Sequence, residues 1–295
     1  MSAGEQSVLT TVRGYYNSPQ TVHKFSIWGP DPKRPGVSAA HLGLDDVERF
    51  HRNIFRLPFE IRKHRKAVEK MTSLIVEESQ VEDGQSVLDA GCGTGPVAFP
   101  IAERNRRARV YGANISRGQL EIMQKYQRSA GLTNVYLTEQ NYTRMAFRDE
   151  AFDRVVFAES FCHAPNKAET VREVGRVLKP GGKVLIVDII YLKSPTTDQE
   201  RARQALESVD GLALLNLTTI DELVGLLKES GMEKEFVLDV SERSKASLAL
   251  IANGYVDALS KETAEPSPLI DSYLAAHSLT QQGTLGYAFI RAVKL

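Results

Sequence analysis

The sequence predicts an α/β fold with a mostly parallel, seven-stranded sheet, an N-terminal helical and aromatic lid, and an inserted helical cap. Short apolar runs alternate with helical stretches between residues 85 and 190, and two further strand-like runs follow. Strands that alternate with helices form βαβ units with right-handed crossovers, and therefore a parallel sheet. The runs are β-branched and nearly continuous, as is typical of strands covered on both faces.

The N-terminal part combines an aromatic segment with a charged helix. Residues 1–45 are expected to be irregular, because four prolines interrupt any long helix; these are Pro19, Pro30, Pro32 and Pro35. Segment 46–80 is predicted to be helical, since apolar residues recur among its many charges. Its basic run at 62–66 has two interpretations, an anion-binding patch or a solvated helix face.

Five apolar runs in the central region are the predicted parallel strands. They are SVLDAG (86–91), ARVYGANI (108–115), NVYLTEQN (134–141), FDRVVFAES (152–160) and KVLIVDII (183–190). The stretches between them predict helices at 96–106, 117–130 and 166–178.

The C-terminal third predicts the cap and the last two strands. Residues 194–230 are expected to be helical, with SPTTD as the start signal and Gly231 as the stop. A strand at 233–240, a polar helical region at 241–280 and a strand at 286–295 follow. We expect two parts, a lid at 1–80 and a core at 81–295, with the cap near 192–280 lying over the carboxyl edge of the sheet.

Composition narrows the classes of function. The 295 residues carry 37 Lys and Arg against 37 Asp and Glu, so the basic excess typical of a nucleic-acid-binding protein is lacking. Two cysteines cannot form a disulfide framework, which favours a reducing, cytoplasmic setting. The start of the chain does not have the pattern of a signal peptide, and no apolar stretch approaches the roughly 20 residues that span a bilayer. Formation of a homo-oligomer is left open.

The most specific motif is VLDAGCGTG at 87–95, in which a strand leads into three glycines and then a predicted helix. Glycines permit a tight turn and close approach of a ligand to the backbone. A helix N-terminus adds N–H groups and the positive end of a dipole. The motif resembles the first motif of class I S-adenosylmethionine-dependent methyltransferases, which have a Rossmann-like fold. An NAD-type or purely structural turn is the alternative.

The resemblance implies a set of cofactor-binding residues. The loop residues Asp89, Gly91, Cys92 and Gly93 would receive the methionine end of the cofactor. Asn114 stands where many members place an acid on the ribose hydroxyls, and Gln119 is a second donor nearby. Asn141 stands where members usually carry Asp for the adenine amino group, with Tyr142 lining the adenine slot. Segment 172–188 resembles the helix, turn and fifth strand of the family.

The segment FAESFCHAPN, at 157–166, indicates the chemistry. It resembles the corresponding segment of sterol C-methyltransferases, and related sequences occur in prenyl diphosphate C-methyltransferases. Methylating a carbon–carbon double bond creates a carbocation, which must be stabilised and then lose a proton. Glu159 is the predicted base, with a cap or a cofactor hydrogen bond as its alternative role. His163 is expected to orient Glu159 or to be structural, and Cys162 to line the pocket.

The acceptor is expected to be a small isoprenoid. Aromatic faces stabilise cations, and the predicted substrate-binding residues are Tyr16, Asn17, Phe25, Trp28, His41, Arg56 and Phe161. A short prenyl diphosphate is favoured over a sterol, because the resemblance implies a C-terminal extension in the sterol enzymes that is not expected here. Its phosphates would need clustered cations or Mg²⁺.

Three other functions remain as alternatives. An O- or N-methyltransferase of a small lipophilic metabolite would use Glu159 or His163 on a heteroatom. A non-catalytic binding protein could keep the same fold, although the three glycines argue against it. A nucleic-acid methyltransferase is disfavoured by the balanced charge and by the lack of an Asn-Pro-Pro-aromatic tetrapeptide.

Overall fold

A seven-stranded sheet is the centre of the computed structural model, which describes residues 3–17, 30–31, 34–38, 57–208, 215–248 and 268–295. A small two-stranded sheet precedes it, formed by β1 (Pro30–Asp31) and β2 (Arg34–Ser38). The strands of the large sheet are β3 (Ser86–Ala90), β4 (Arg109–Asn114), β5 (Val135–Glu139), β6 (Phe152–Ala158), β7 (Leu178–Tyr191), β8 (Met232–Asp239) and β9 (Leu285–Lys294).

The order of the large sheet is β5-β4-β3-β6-β7-β9-β8. β3, β4, β5, β6 and β7 run parallel, and β9 is antiparallel to both β7 and β8. The predicted mostly parallel sheet is therefore confirmed, including its five central strands. Because the parallel strands share one direction, their carboxyl ends meet at a single edge.

Helices cover both faces of this sheet. They are α1 (Ala3–Asn17), α2 (Leu57–Glu78), α3 (Ala98–Arg104), α4 (Arg117–Ala130), α5 (Lys167–Val177), α6 (Glu200–Leu206), α7 (Ile220–Glu229), α8 (241–248) and α9 (Pro268–Gln281). Side chains of adjacent strand residues pack into two different hydrophobic clusters. Val87 belongs to one cluster and Leu88 to the other. Each fully buried Leu or Phe contributes about 1.5–3 kcal/mol.

The N-terminal segment differs from its prediction, because α1 is a regular helix rather than irregular chain. Pro19, the first proline, stands beyond the end of α1 and does not interrupt it. Val12 is buried, and Tyr16 follows it at the i+4 spacing that places both on one helix face.

The single helical stretch predicted at 194–230 is wrong, because residues 215–219 are not helical and separate α6 from α7. Thr219 begins α7 with a capping box: its hydroxyl accepts from the Glu222 N–H, and the Glu222 carboxylate accepts from the Thr219 N–H. That signal was present in the sequence as Thr-x-x-Glu. The predicted stop is confirmed, since α7 ends at Glu229 and Gly231 has a φ of +74°.

The turn after β3 packs closely on the turn after β6. Gly91 has a φ of +82°, and a Cβ atom placed on it would lie 2.5 Å from the Ser160 Cβ. Ser160 also donates a hydrogen bond from Oγ to the Ala90 carbonyl at 2.6 Å. Glycine is therefore required at position 91 both for its backbone conformation and for the space it leaves.

Gly91→Ala should lower the free energy of unfolding by about 3 kcal/mol or more, of which about 1–2 kcal/mol comes from the left-handed backbone and the rest from the clash with Ser160. Gly84→Ala is the matched control, because Gly84 has a φ of +90° with open space around the added methyl group. Gly84→Ala should lose only the part of the free energy of unfolding that comes from the left-handed backbone. Chemical denaturation measures both, and equal losses would contradict the close packing.

Candidate active site

Polar side chains gather where β3, β4, β5 and β6 end. Asp89 is the second-last residue of β3, Asn114 ends β4, Asn141 follows β5 and Glu159 follows β6. The sheet order places these four strands next to one another. The structure therefore brings together the predicted cofactor-binding residues at one edge, as expected for a ligand site of a parallel sheet.

The glycine turn offers a cradle for a ligand. At Gly93, with a φ of +54°, no atom lies within 4 Å of the place a Cβ would occupy, so a ligand can approach the backbone there. The N–H groups of Gly91 and Cys92 instead donate to the Ala113 carbonyl, and the Cys92 thiol is buried beside Gly112. The Cys92 side chain thus faces the interior, and its contact with the cofactor stays a prediction. α3 begins only at Ala98 and spans seven residues, so it is shorter than predicted.

Asn114 ties the glycine turn to the start of α4. Its Nδ2 donates to the Gln119 Oε1 at 2.8 Å and to the Gly93 carbonyl at 3.4 Å, while its Oδ1 accepts from the Ser116 N–H at 3.1 Å. Asn114 and Gln119 thus form one hydrogen-bonded amide pair. Their contact with a ribose remains a prediction.

Asn141 and Tyr142 support the neighbouring turns. The Asn141 Oδ1 accepts from the Thr143 N–H at 2.9 Å, which shapes the loop after β5. The Tyr142 hydroxyl donates to the Ser160 carbonyl at 2.7 Å, and burial raises the pKa of this phenol well above its ordinary value. The Tyr142 phenol therefore stays protonated and donates this hydrogen bond to the turn after β6. A contact between Tyr142 and adenine stays a prediction.

Glu159 is held at the end of β6 in an uncommon conformation. Its φ is +52°, in the left-handed region that glutamate rarely adopts. The Tyr287 hydroxyl donates to the Glu159 Oε1 at 2.8 Å. Burial, and then the nearby Glu159 charge, raise the pKa of Tyr287 well above its ordinary value. The phenol thus stays protonated and fixes the carboxylate of Glu159.

His163 is connected to the N-terminal helix. The Tyr16 hydroxyl and the His163 Nε2 are 2.9 Å apart, and their rings meet edge to face. The neighbouring Asn17 Oδ1 accepts from the Ser116 hydroxyl at 2.8 Å. Arg13 forms an ion pair with Glu139 at the end of β5. α1 therefore reaches the ends of β4, β5 and β6, where it covers part of the edge.

Phe161 does not lie where substrate binding was expected. Its side chain is 2% exposed and packs against Phe157 in the core, with ring centroids 5.4 Å apart. Cys162 is also buried, and burial raises the pKa of its thiol well above the ordinary value. A protonated, buried thiol is a poor nucleophile.

Several predicted residues lie outside the described part of the chain. They are Phe25, Trp28, His41 and Arg56. Among the described residues, no group of three or more His, Cys, Asp or Glu could hold a metal ion. No helix within the described ranges is long and apolar enough to cross a membrane.

Sequence reasoning missed two buried charged residues behind this edge. Asp188 accepts from the N–H groups of Cys162 and Ile189, each at 2.9 Å, and burial raises its pKa to about 6. Lys167 donates to the Phe161 carbonyl, and burial lowers its pKa to about 8. Asp188 follows directly on the apolar run KVLIV, which was the available signal. Lys167 had no comparable signal.

Residues 88–186 match the family model described as a methyltransferase domain. Methyltransferase GfsG of Streptomyces halstedii is 34% identical over 204 residues, which cover 68% of this chain and 71% of that protein. (+)-O-methylkolavelool synthase of Herpetosiphon aurantiacus is 26% identical over 82% of this chain and 77% of its own. 24-methylenesterol C-methyltransferase 2 of Oryza sativa is 31% identical over 61% of this chain, but over only 50% of its own length.

The fold is also similar to that of a solved enzyme structure. The geranyl diphosphate C-methyltransferase from Streptomyces coelicolor superposes with a TM-score of 0.77 and covers 98% of both chains. The sequence identity is 16%, so this likeness concerns the fold alone.

Asp188→Asn should make stability less dependent on pH. The pKa of Asp188 is raised from 3.8 to about 6 in the folded chain, so the folded state binds more protons than the unfolded state between these values. The contribution of Asp188 to the free energy of unfolding therefore falls as pH rises through this window, by up to about 3 kcal/mol. Asparagine retains one of the two acceptor oxygens and does not titrate.

Denaturation from about pH 4 to about pH 7 measures this difference. The variant should gain stability relative to the wild type as pH rises. A constant difference between the two proteins would contradict the raised pKa.

Proposed function

Because the chain belongs to the S-adenosylmethionine-dependent methyltransferases, we propose that it transfers a methyl group to a carbon of an isoprenoid double bond, with Glu159 as the base. The family predicted from the sequence is thereby confirmed. The acceptor atom and the substrate are the proposal.

The observation that carries this proposal is the fixed Glu159 carboxylate at the carboxyl edge. The Tyr287 hydroxyl orients it through a hydrogen bond of 2.8 Å to Oε1. Asp188 lies buried close enough for the Glu159 charge to raise its pKa, although burial is the larger cause. Acidic groups on one side of a dry site favour a positively charged intermediate.

The chemistry needs one proton acceptor and no enzyme nucleophile. The electron pair of the double bond would form the new carbon–carbon bond as the carbon–sulfur bond of the sulfonium breaks, with S-adenosylhomocysteine as the leaving group, and positive charge would develop on the neighbouring carbon. Loss of a proton to Glu159 restores a double bond and leaves a neutral product. A buried, protonated Cys162 is consistent with this scheme, since methyl transfer requires no covalent enzyme intermediate.

The glycine turn fits the proposed cofactor. The open space at Gly93 and the buried Asp89 at the end of β3 suit its amino-acid end, and the Asn114–Gln119 pair lies at the end of β4. S-adenosylmethionine supplies an activated methyl group on a sulfonium.

A short prenyl diphosphate is the proposed acceptor, with a sterol or triterpene as the alternative isoprenoid. The fold is shared with a geranyl diphosphate C-methyltransferase over nearly the whole chain. Phosphates need cations to balance their charge. The predicted cations are Mg²⁺ and Arg56, and Arg56 lies outside the described part of the chain. Activity that is lost on chelation and restored by magnesium would support the diphosphate.

O-methylation of a lipophilic alcohol is a second candidate, favoured by one specific observation. The Tyr16 hydroxyl and the His163 Nε2 form a hydrogen bond of 2.9 Å at the same edge. An imidazole held in this way can accept the proton of an alcohol as its oxygen is methylated. The relative (+)-O-methylkolavelool synthase, whose name describes an O-methylated product, supports this second candidate.

Glu159→Gln and His163→Asn separate the two candidates. If the acceptor is an alkene, Glu159→Gln should lower the rate by about 10²–10⁴-fold or change the double-bond isomer, because the proton has lost its acceptor. If the acceptor is an alcohol, His163→Asn should cause the larger loss. Product analysis by mass spectrometry and NMR measures both, with cofactor binding by calorimetry as the control.

The acceptor itself is tested by a mass-spectrometric screen with S-adenosylmethionine and magnesium. The panel contains prenyl diphosphates from dimethylallyl to farnesyl, sterols, and terpenoid or polyketide alcohols. A diphosphate product heavier by one methylene is expected. Turnover of alcohols alone would overturn the alkene proposal.

A further inference from the structure

The turn that connects β6 to α5 holds the two candidate bases. Glu159 begins it and His163 ends its single 3₁₀ turn, Phe161–His163. A base contributes only if its reacting atom is held within a fraction of an ångström of the correct place. The groups that hold this backbone therefore matter as much as the bases themselves.

Groups from outside the turn hold its backbone N–H and carbonyl groups. The Asn216 N–H donates to the Cys162 carbonyl at 2.8 Å, and the Asn216 Nδ2 donates to the Ala164 carbonyl at 3.0 Å. On the other side, the Cys162 N–H donates to the Asp188 Oδ2 at 2.9 Å. The middle of the turn is thus fixed from two directions.

Lys167 completes this arrangement from the first residue of α5. Its side chain is 9% exposed, and its ammonium donates to the Phe161 carbonyl. The same ammonium lies 4.6 Å from the centroid of the Phe161 ring. Lysine is rarely buried to this degree without a partner of opposite charge. Asp188 lines the same small cavity as Lys167 and Cys162.

We propose that Lys167 is a positioning residue, whose buried ammonium fixes the turn at 161–163 and thereby aligns His163 with Tyr16. It acts through the Phe161 carbonyl and touches neither cofactor nor acceptor. The inference rests on the proposed methyl transfer at this edge, but it holds whether the acceptor atom is carbon or oxygen.

The titration of Lys167 gives this role a measurable signature. Burial lowers the pKa of Lys167 to about 8, opposed by Cys162 of the turn and Asp188 of β7. Glu159 acts in turn on the pKa of Asp188. Above about pH 8 the ammonium loses its charge, so its hydrogen bond to the Phe161 carbonyl weakens. The turn, and with it the His163 ring, should then relax.

Lys167→Met tests this with Arg172→Met as the matched control. Methionine keeps much of the unbranched side chain and removes the ammonium, while Arg172 is an exposed cation on the same helix. Lys167→Met should lower kcat by about tenfold or more, leave the KM for S-adenosylmethionine within about twofold, and abolish an alkaline limb near pH 8. Arg172→Met should match the wild type.

Ring NMR of His163 supplies a readout that requires no acceptor. In the wild type its resonances should shift with a midpoint near pH 8, and this shift should vanish in Lys167→Met. Wild-type resonances that do not respond near pH 8 would overturn the inference, even if the variant fails to fold. A response of His163 without any methylated isoprenoid would leave the positioning role standing and overturn the isoprenoid acceptor alone.

Discussion

The contact between the turn after β3 and the turn after β6 determines the geometry of the whole edge. Ser160 lies against Gly91, donates to the Ala90 carbonyl and accepts from the Tyr142 hydroxyl. One turn is the proposed cofactor cradle, and the other carries both candidate bases. Since the acceptor must lie between the methyl donor and the base, the fixed separation of the two turns is the first requirement of the chemistry.

Ionisable groups surround this contact. Glu159 and His163 belong to the turn after β6, and Asp188 and Lys167 are buried beside the same turn. Burying opposite charges seldom stabilises a fold by itself, because desolvation offsets much of the attraction. Asp188 and Lys167 instead act on the backbone between the two bases, because their hydrogen bonds to Cys162 and Phe161 hold it in place.

The sequence predicted what depends on local pattern and left out what depends on distant contacts. Strand periodicity and the glycine motif were sufficient for the sheet, the family and the edge where Asp89 and Glu159 lie. The partner of Glu159 is 128 residues away in Tyr287, and no local pattern indicates such a pair. Phe161 was misplaced because an aromatic residue beside a site can face either the pocket or the core. The prolines do not exclude α1, because the first of them, Pro19, stands beyond the end of this helix.

The most direct test of this account is a crystal structure of the chain with S-adenosylhomocysteine. We expect the ligand to lie along the glycine turn near Gly93, with its sulfur facing the Glu159 carboxylate and the His163 ring. That result would place the transferred methyl group between the cradle and the candidate bases. A sulfur that faces away from both side chains, or a ligand bound at another edge, would contradict the account.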